Sequence, residues 1–170
     1  MNQLTQNTVD ALIALYNRKE FVQLLNKIEI HLKEYSASFF LWNILGATKL
    51  ALTEYQFAKG AFKKAIILNP NNAACLLNLG VTYRKSGLEE KAKNAYTRAL
   101  SLNPTYAEAF NNIGNLHREQ SRLEEAEKAL TKAIAFKPRY PEAFLNLGLV
   151  CIAKGKSREA TELFCSAIRH

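Results

Sequence analysis

Apolar residues recur along this chain at helical spacing. Near the start, Leu12, Leu15 and Tyr16 are followed by Phe21, Leu24, Leu25, Ile28 and Leu32. Steps of three and four residues put such side chains on one face of a helix. The pattern then repeats itself. Gly46, Gly80, Gly114 and Gly148 are 34 residues apart, as are Ala58, Ala92, Ala126 and Ala160, and Ala65, Ala99, Ala133 and Ala167. Pro70, Pro104 and Pro138 keep the same interval. A period of this length marks an array of short units, each burying its apolar face against its neighbours.

The spacing predicts two antiparallel helices in each unit. Glycine and alanine positions let helices approach closely, and leucine and aromatic positions fill the space between them. Proline lacks an N–H and excludes helix at the residue before it, so the prolines mark the joins between units. Asn69-Pro70 and Asn103-Pro104 add turn chemistry there. Ten helices follow, near 5–17, 21–34, 39–52, 55–68, 73–86, 89–102, 107–120, 123–136, 141–154 and 157–169.

The pattern resembles the tetratricopeptide repeat family, whose motif runs Trp-x2-Leu-Gly-x2-Tyr, then Ala, x3, Phe and a closing Pro. Segment 39–72 supplies Trp42, Leu45, Gly46, Ala58, Phe62, Ala65 and Pro70. Segment 73–106 supplies Leu76, Leu79, Gly80, Tyr83, Ala92, Tyr96, Ala99 and Pro104. Segment 107–140 matches with Phe110, Ile113, Gly114, Ala126, Leu130, Ala133 and Pro138. Segment 141–170 carries Phe144, Leu147, Gly148, Ala160, Phe164 and Ala167 and stops before its proline. Segment 5–38 keeps the phase but diverges, with Leu12 for the glycine, Leu24 and His31 for the alanines and Ser36 for the proline. The resemblance implies an all-α fold, with residues 1–170 forming one right-handed α-solenoid of about five helix pairs.

It also implies a binding groove lined by the first helix of each repeat. One position of that helix reads Ile44, Asn78, Asn112 and Asn146. An asparagine amide both donates and accepts hydrogen bonds, so a row of them suits the backbone of an extended peptide. The row resembles the asparagine ladder in the repeat superhelix of O-linked N-acetylglucosamine transferases. Around it the groove would hold Asn111, Asn115, Arg84, Arg118, Lys85, Glu108, Glu119 and Glu142, and upstream the apolar Phe40, Leu50 and Leu77. The carboxylate clamp of the chaperone-binding relatives fails here. Glu108 and Asn112 occupy its third-repeat positions, and Asn43 and Ala47 its first. Trp42, Phe62, Tyr96, Phe110 and Phe144 fall at positions that pack repeats together.

Charge changes the picture little. The chain has 23 basic and 15 acidic residues and a net charge of +8. The lysines and arginines are dispersed among glutamates, with no basic run longer than Lys63–Lys64, so a solvated face is expected and nucleic acid is disfavoured. There is no Walker loop, nucleophile elbow or HExxH motif. No metal, cofactor or catalytic residue is implied. His117 takes the place of Tyr83 one repeat earlier and reads as a packed imidazole. Cys75, Cys151 and Cys165 show no CxxC spacing and read as reduced thiols of a cytoplasmic protein. No apolar run reaches the length of about 18 residues needed for a membrane helix.

The function expected from these features is non-enzymatic protein–protein interaction: a scaffold that takes a peptide or partner helix in its groove. The alternative is the N-terminal, substrate-recruiting region of a larger enzyme of the glycosyltransferase or sulfotransferase type. Its basis is that Ile168-Arg169-His170 falls inside the second helix of a repeat. The apolar surface of that last repeat is also expected to pair with a second copy as a homodimer. RNA binding is the third and least favoured reading.

Overall fold

A computed structural model describes residues 4–169. It contains ten helices and no strand among the described residues. They are α1 (Gln6–Asn17), α2 (Phe21–Glu34), α3 (Phe39–Ala51), α4 (Tyr55–Leu68), α5 (Ala73–Lys85), α6 (Glu89–Leu102), α7 (Ala107–Glu119), α8 (Leu123–Phe136), α9 (Pro141–Ala153) and α10 (Ser157–Arg169). The fold is all-α, in tandem helix pairs of the solenoid class. Caps help to set the helix starts. Ser38 Oγ accepts from Leu41 N at 3.4 Å, and Asn72 Oδ1 accepts from Cys75 N at 2.8 Å. Both satisfy N–H groups that have no partner within the helix.

The first helices of the second, third, fourth and fifth pairs each end one residue earlier than the periodicity predicts. The cause is a left-handed residue in the turn to the second helix. Lys19, Thr53, Gly87, Ser121 and Gly155 all have φ between 59° and 75°. They lie 34 residues apart, so the divergent first segment shares the turn geometry of the others. Glycine takes this conformation freely, whereas a β-branched residue is strained there. Thr53→Gly is therefore expected to stabilise the chain. Relief of a left-handed penalty of about 1–2 kcal/mol outweighs the extra freedom glycine has when unfolded, about 0.5–1 kcal/mol. The melting temperature should rise by about 1–4 °C. A fall would show that the Thr53 side chain makes a contact worth more than the strain.

Packing divides the chain into two compact units, Met1–Ser86 and Gly87–His170. In the first, successive helices from α1 to α5 pack on one another, and α3 also meets α5. One apolar cluster joins Leu12, Leu24, Ile28, Leu41 and Ile44, and another joins Ala58, Phe62, Ala65, Cys75 and Leu79. In the second unit the same succession runs from α6 to α10, and α7 also meets α9. Here one cluster joins Ala107, Ala133, Tyr140 and Ala143, and another Ala126, Leu130, Leu147 and Val150. The periodic glycines mark helix crossings. A Cβ on Gly114 would lie 2.5 Å from Leu130 Cγ, and one on Gly46 would lie 2.7 Å from the Phe62 ring. Alanine at 58, 65, 126 and 133 is fully buried at the same crossings.

Candidate functional site

In the second unit the candidate residues fall on α7 and α9. Glu108, Asn112, Asn115 and Glu119 are spaced four, three and four apart, which makes one stripe of α7. Asn112 Nδ2 donates to the Glu108 carbonyl of its own helix at 2.9 Å, leaving its Oδ1 for another partner. Asn146 Nδ2 donates to Asn111 Oδ1 at 2.8 Å, joining α9 to α7. Asn111 is only 6% exposed, so this pair is part of the packing between the two first helices. Three polar atoms on α7 are buried without a partner: Asn115 Oδ1, His117 Nδ1 and Arg118 Nε. Such atoms cost free energy when unmet, so a partner that reaches them is favoured.

The same seam carries an ion pair and a cation–π contact. Lys137 Nζ donates to Glu108 Oε1 at 2.6 Å and stands 4.5 Å above the Tyr140 ring. Burial pushes the Glu108 carboxyl up, but the hydrogen bond and charge of Lys137 outweigh it and hold the carboxyl below its usual range. The Tyr140 hydroxyl is pushed up to about 12, first by burial and then by the negative Glu108 and Glu142, while hydrogen bonding to Asn111 opposes them. Tyr140 therefore stays neutral and packs at the base of this face.

Beside the polar stripe, α9 exposes Leu145, Leu149 and Ile152, at 44%, 45% and 51%. Steps of four and three place them on one side of the helix. They form an apolar wall next to Asn146. The sequence reading assigns the apolar part of the groove to Phe40, Leu50 and Leu77 instead. Of these, Leu77 is buried, while Phe40 and Leu50 are half-buried against the two clusters of the first unit. Comparing Leu145, Leu149 and Ile152 with Asn111, Asn115 and Arg118 at the same repeat positions would have drawn attention to them.

The remaining candidates are in the first unit, on α5. Asn78 is half-buried, and its carbonyl accepts from Thr82 Oγ1 at 2.8 Å. Arg84 is half-buried and Lys85 exposed, both in the last turn of the helix. On α3, Asn43 Oδ1 is a further buried acceptor without a partner.

Other titratable groups are structural. Glu127 accepts from Lys154 at 2.5 Å and Lys156 at 3.2 Å, tying α8 to the turn after α9. The Lys154 hydrogen bond draws the Glu127 carboxyl down, burial opposes it, and Lys156 adds to the fall. His117 is half-buried; burial lowers its pKa, and its Nδ1 has no partner. Burial pushes the Cys75 thiol up to about 12, which leaves it unreactive. Among the described residues no three His, Cys, Asp or Glu side chains are grouped to hold a metal ion. None of the described helices is long and apolar enough to cross a membrane.

The repeats match known families. Residues 114–155 match the TPR repeat, and residues 73–106 and 95–128 each match the tetratricopeptide repeat. No curated protein matches the chain in sequence. Several solved structures share its fold. PilW, a widely conserved type IV pilus biogenesis factor, superposes with a TM-score of 0.88 at 20% identity, over 100% of this chain and 80% of its own. TTC0263, a thermophilic TPR protein of Thermus thermophilus, gives 0.82 at 23% identity, over 96% and 90%. YrrB, a TPR protein with an unusual peptide-binding site, gives 0.69 at 23% identity, over 95% and 84%.

Proposed function

We propose that this chain of tetratricopeptide repeats is a non-enzymatic interaction module of the cytoplasm, holding an extended peptide or a partner helix along its first helices. The observation that carries this reading is the face formed by α7 and α9. It sets half-exposed Leu145, Leu149 and Ile152 beside Asn112, Asn146 and the unmet atoms of Asn115 and Arg118. An apolar wall with a few placed polar groups suits a peptide that lays apolar side chains on α9 and its backbone on the amides of α7. In the first unit, Asn78, Arg84 and Lys85 offer a separate polar surface of α5. The peptide-binding site of YrrB, which shares the fold, supports the class of ligand. The five-repeat solenoid of 1–170 and the ladder role of Asn78, Asn112 and Asn146 belong to the same proposal. The test is a pull-down with the chain as bait, compared with Leu145→Asp/Leu149→Asp and Asn112→Ala baits. Partners recovered equally by all three baits would exclude this face.

A homodimer through the last repeat is a further part of the proposal. Phe62, Leu130, Ala65 and Ala133 are fully buried, but Phe164 and Ala167 at the equivalent positions of α10 are only half-buried, and Ile168 is exposed. Exposed apolar surface of this kind favours an isologous pairing of two copies. Light scattering over a concentration series should show the mass rising toward twice the monomer, and Ile168→Glu should suppress the rise. A strict monomer at high micromolar concentration would sink the dimer.

A further inference from the structure

We propose that the cleft between α3 and α4 is a second docking site, separate from the face of α7 and α9. Its ligand is a peptide segment that inserts one large apolar side chain beside an acidic residue. The cleft holds about 350 Å³. Trp42, Phe57, Gly60 and Ala61 are among the residues that line it. Lys64 stands over the Trp42 ring at 5.7 Å, and Lys49 over the Phe57 ring at 5.4 Å.

Trp42 and Ala61 also pack the helices, but the repeat itself shows that Phe57, Gly60 and Ile67 are not there for packing. At the position of Phe57, the other units carry Gln23, Lys91, Glu125 and Glu159. At Gly60 they carry Asn26, Asn94, Lys128 and Glu162, and at Ile67 they carry Lys33, Ser101, Ala135 and Arg169. Steps of three and seven put Phe57, Gly60 and Ile67 on one side of α4. Phe57 is 67% exposed and Ile67 77% exposed. Gly60 disfavours the helix it sits in. It is not needed for a close approach, because a Cβ there would meet nothing within 4 Å. This helix therefore departs from its own repeat at three positions of one surface. Phe57 and Gly60 line the cleft itself, and Ile67 lies further along the same side of α4.

Charge selects the occupant. Helices α3 and α4 contain Lys49, Lys59, Lys63 and Lys64 and no carboxylate. Glu54, ahead of α4, pairs with Lys49 at 2.8 Å, which leaves Lys64 as the cation at the rim of the cleft. Lys64 thus favours an acidic neighbour of the inserted side chain. A second copy of this chain is disfavoured, since a symmetric pairing would set these lysines against one another. A flat lipid surface does not enter a slot recessed between two helices.

The test uses the full chain, labelled with nitrogen-15, and two synthetic peptides of equal length. Each has a central phenylalanine, flanked by glutamates in one and by lysines in the other. The acidic peptide should move the Trp42 indole N–H and Gly60 amide signals saturably, and the basic peptide should bind at least about tenfold more weakly. Gly60→Leu puts a bulky side chain at the cleft, at a position where its Cβ meets nothing within 4 Å. It should weaken the acidic peptide by at least about tenfold while the melting temperature stays the same or rises. Lys64→Glu should reverse the preference between the peptides. The proposal is overturned if neither peptide moves these signals at millimolar concentration, or if both bind alike. It is also overturned if Gly60→Leu binds as the native chain does, if the signals move on concentrating the chain alone, or if only anionic vesicles move them.

Discussion

Leu130→Ala is expected to destabilise the second unit by about 2–5 kcal/mol, because a fully buried leucine at a helix crossing leaves a cavity when truncated. Leu130 closes the α7–α8 crossing over Gly114, where a Cβ would lie 2.5 Å from its Cγ, 2.9 Å from its Cδ2 and 3.3 Å from the Ala126 carbonyl oxygen. Gly114→Ala should therefore cost about 1–3 kcal/mol by overpacking, and Gly114→Leu at least as much. The two positions share one volume, so the combined Gly114→Ala/Leu130→Ala variant should cost less than the sum of its parts. The added methyl then occupies space the leucine vacated, and coupling between touching residues is typically about 0.5–3 kcal/mol. Amide hydrogen exchange across α7 and α8 reads this locally, whether or not the two units unfold together. Strict additivity would mean that Gly114 does not meet Leu130 in solution.

Leu145→Asp/Leu149→Asp is expected to weaken partner binding by about tenfold to a hundredfold while leaving the fold unchanged. Both leucines are about half exposed in the free chain, so a carboxylate there costs folding little. Covering the exposed half of each leucine contributes about 0.7–1.5 kcal/mol, so the two together give about 1.5–3 kcal/mol, and each 1.4 kcal/mol is a factor of ten. Asn112→Ala should have a smaller effect, about 0.5–1.5 kcal/mol for one hydrogen bond. Asn78→Ala, tested by itself in the first unit, should act on the same scale. Asn146→Ala differs from both. It strands the buried Asn111 Oδ1, so it should also lower stability by about 1–3 kcal/mol. Calorimetry with a partner recovered by pull-down separates these cases. Equal affinity for the leucine variant would remove α9 from the binding face.

The helices and their pairing were legible in the chain because a 34-residue period leaves little freedom. Glycines 46, 114 and 148 and the buried alanines 58, 65, 126 and 133 occur where helices cross, and a Cβ on those glycines would meet a neighbouring ring or leucine. The turns were less legible. Gly87 and Gly155 announce a left-handed residue, but Lys19, Thr53 and Ser121 adopt the same φ without doing so, since the closing turn of the helix pair imposes it.

The candidate site divides in the same way. Residue type alone pointed to Asn112 and Asn146 as polar positions of a first helix. It did not show that Asn146 would be held by Asn111, because that bond depends on how closely α9 packs beside α7. Nor could it choose the apolar wall. Helices α3 and α9 are apolar on nearly every side, so periodicity does not say which leucines are covered. Neighbouring helices decide this, burying Leu77 and covering much of Phe40 and Leu50, while Leu145, Leu149 and Ile152 stay in contact with water. The sequence by itself determined the element order and the helix crossings, which are local and repeat at a constant interval. Tertiary structure alone decided which apolar and amide groups remain free, because exposure depends on the neighbours that packing brings to each face.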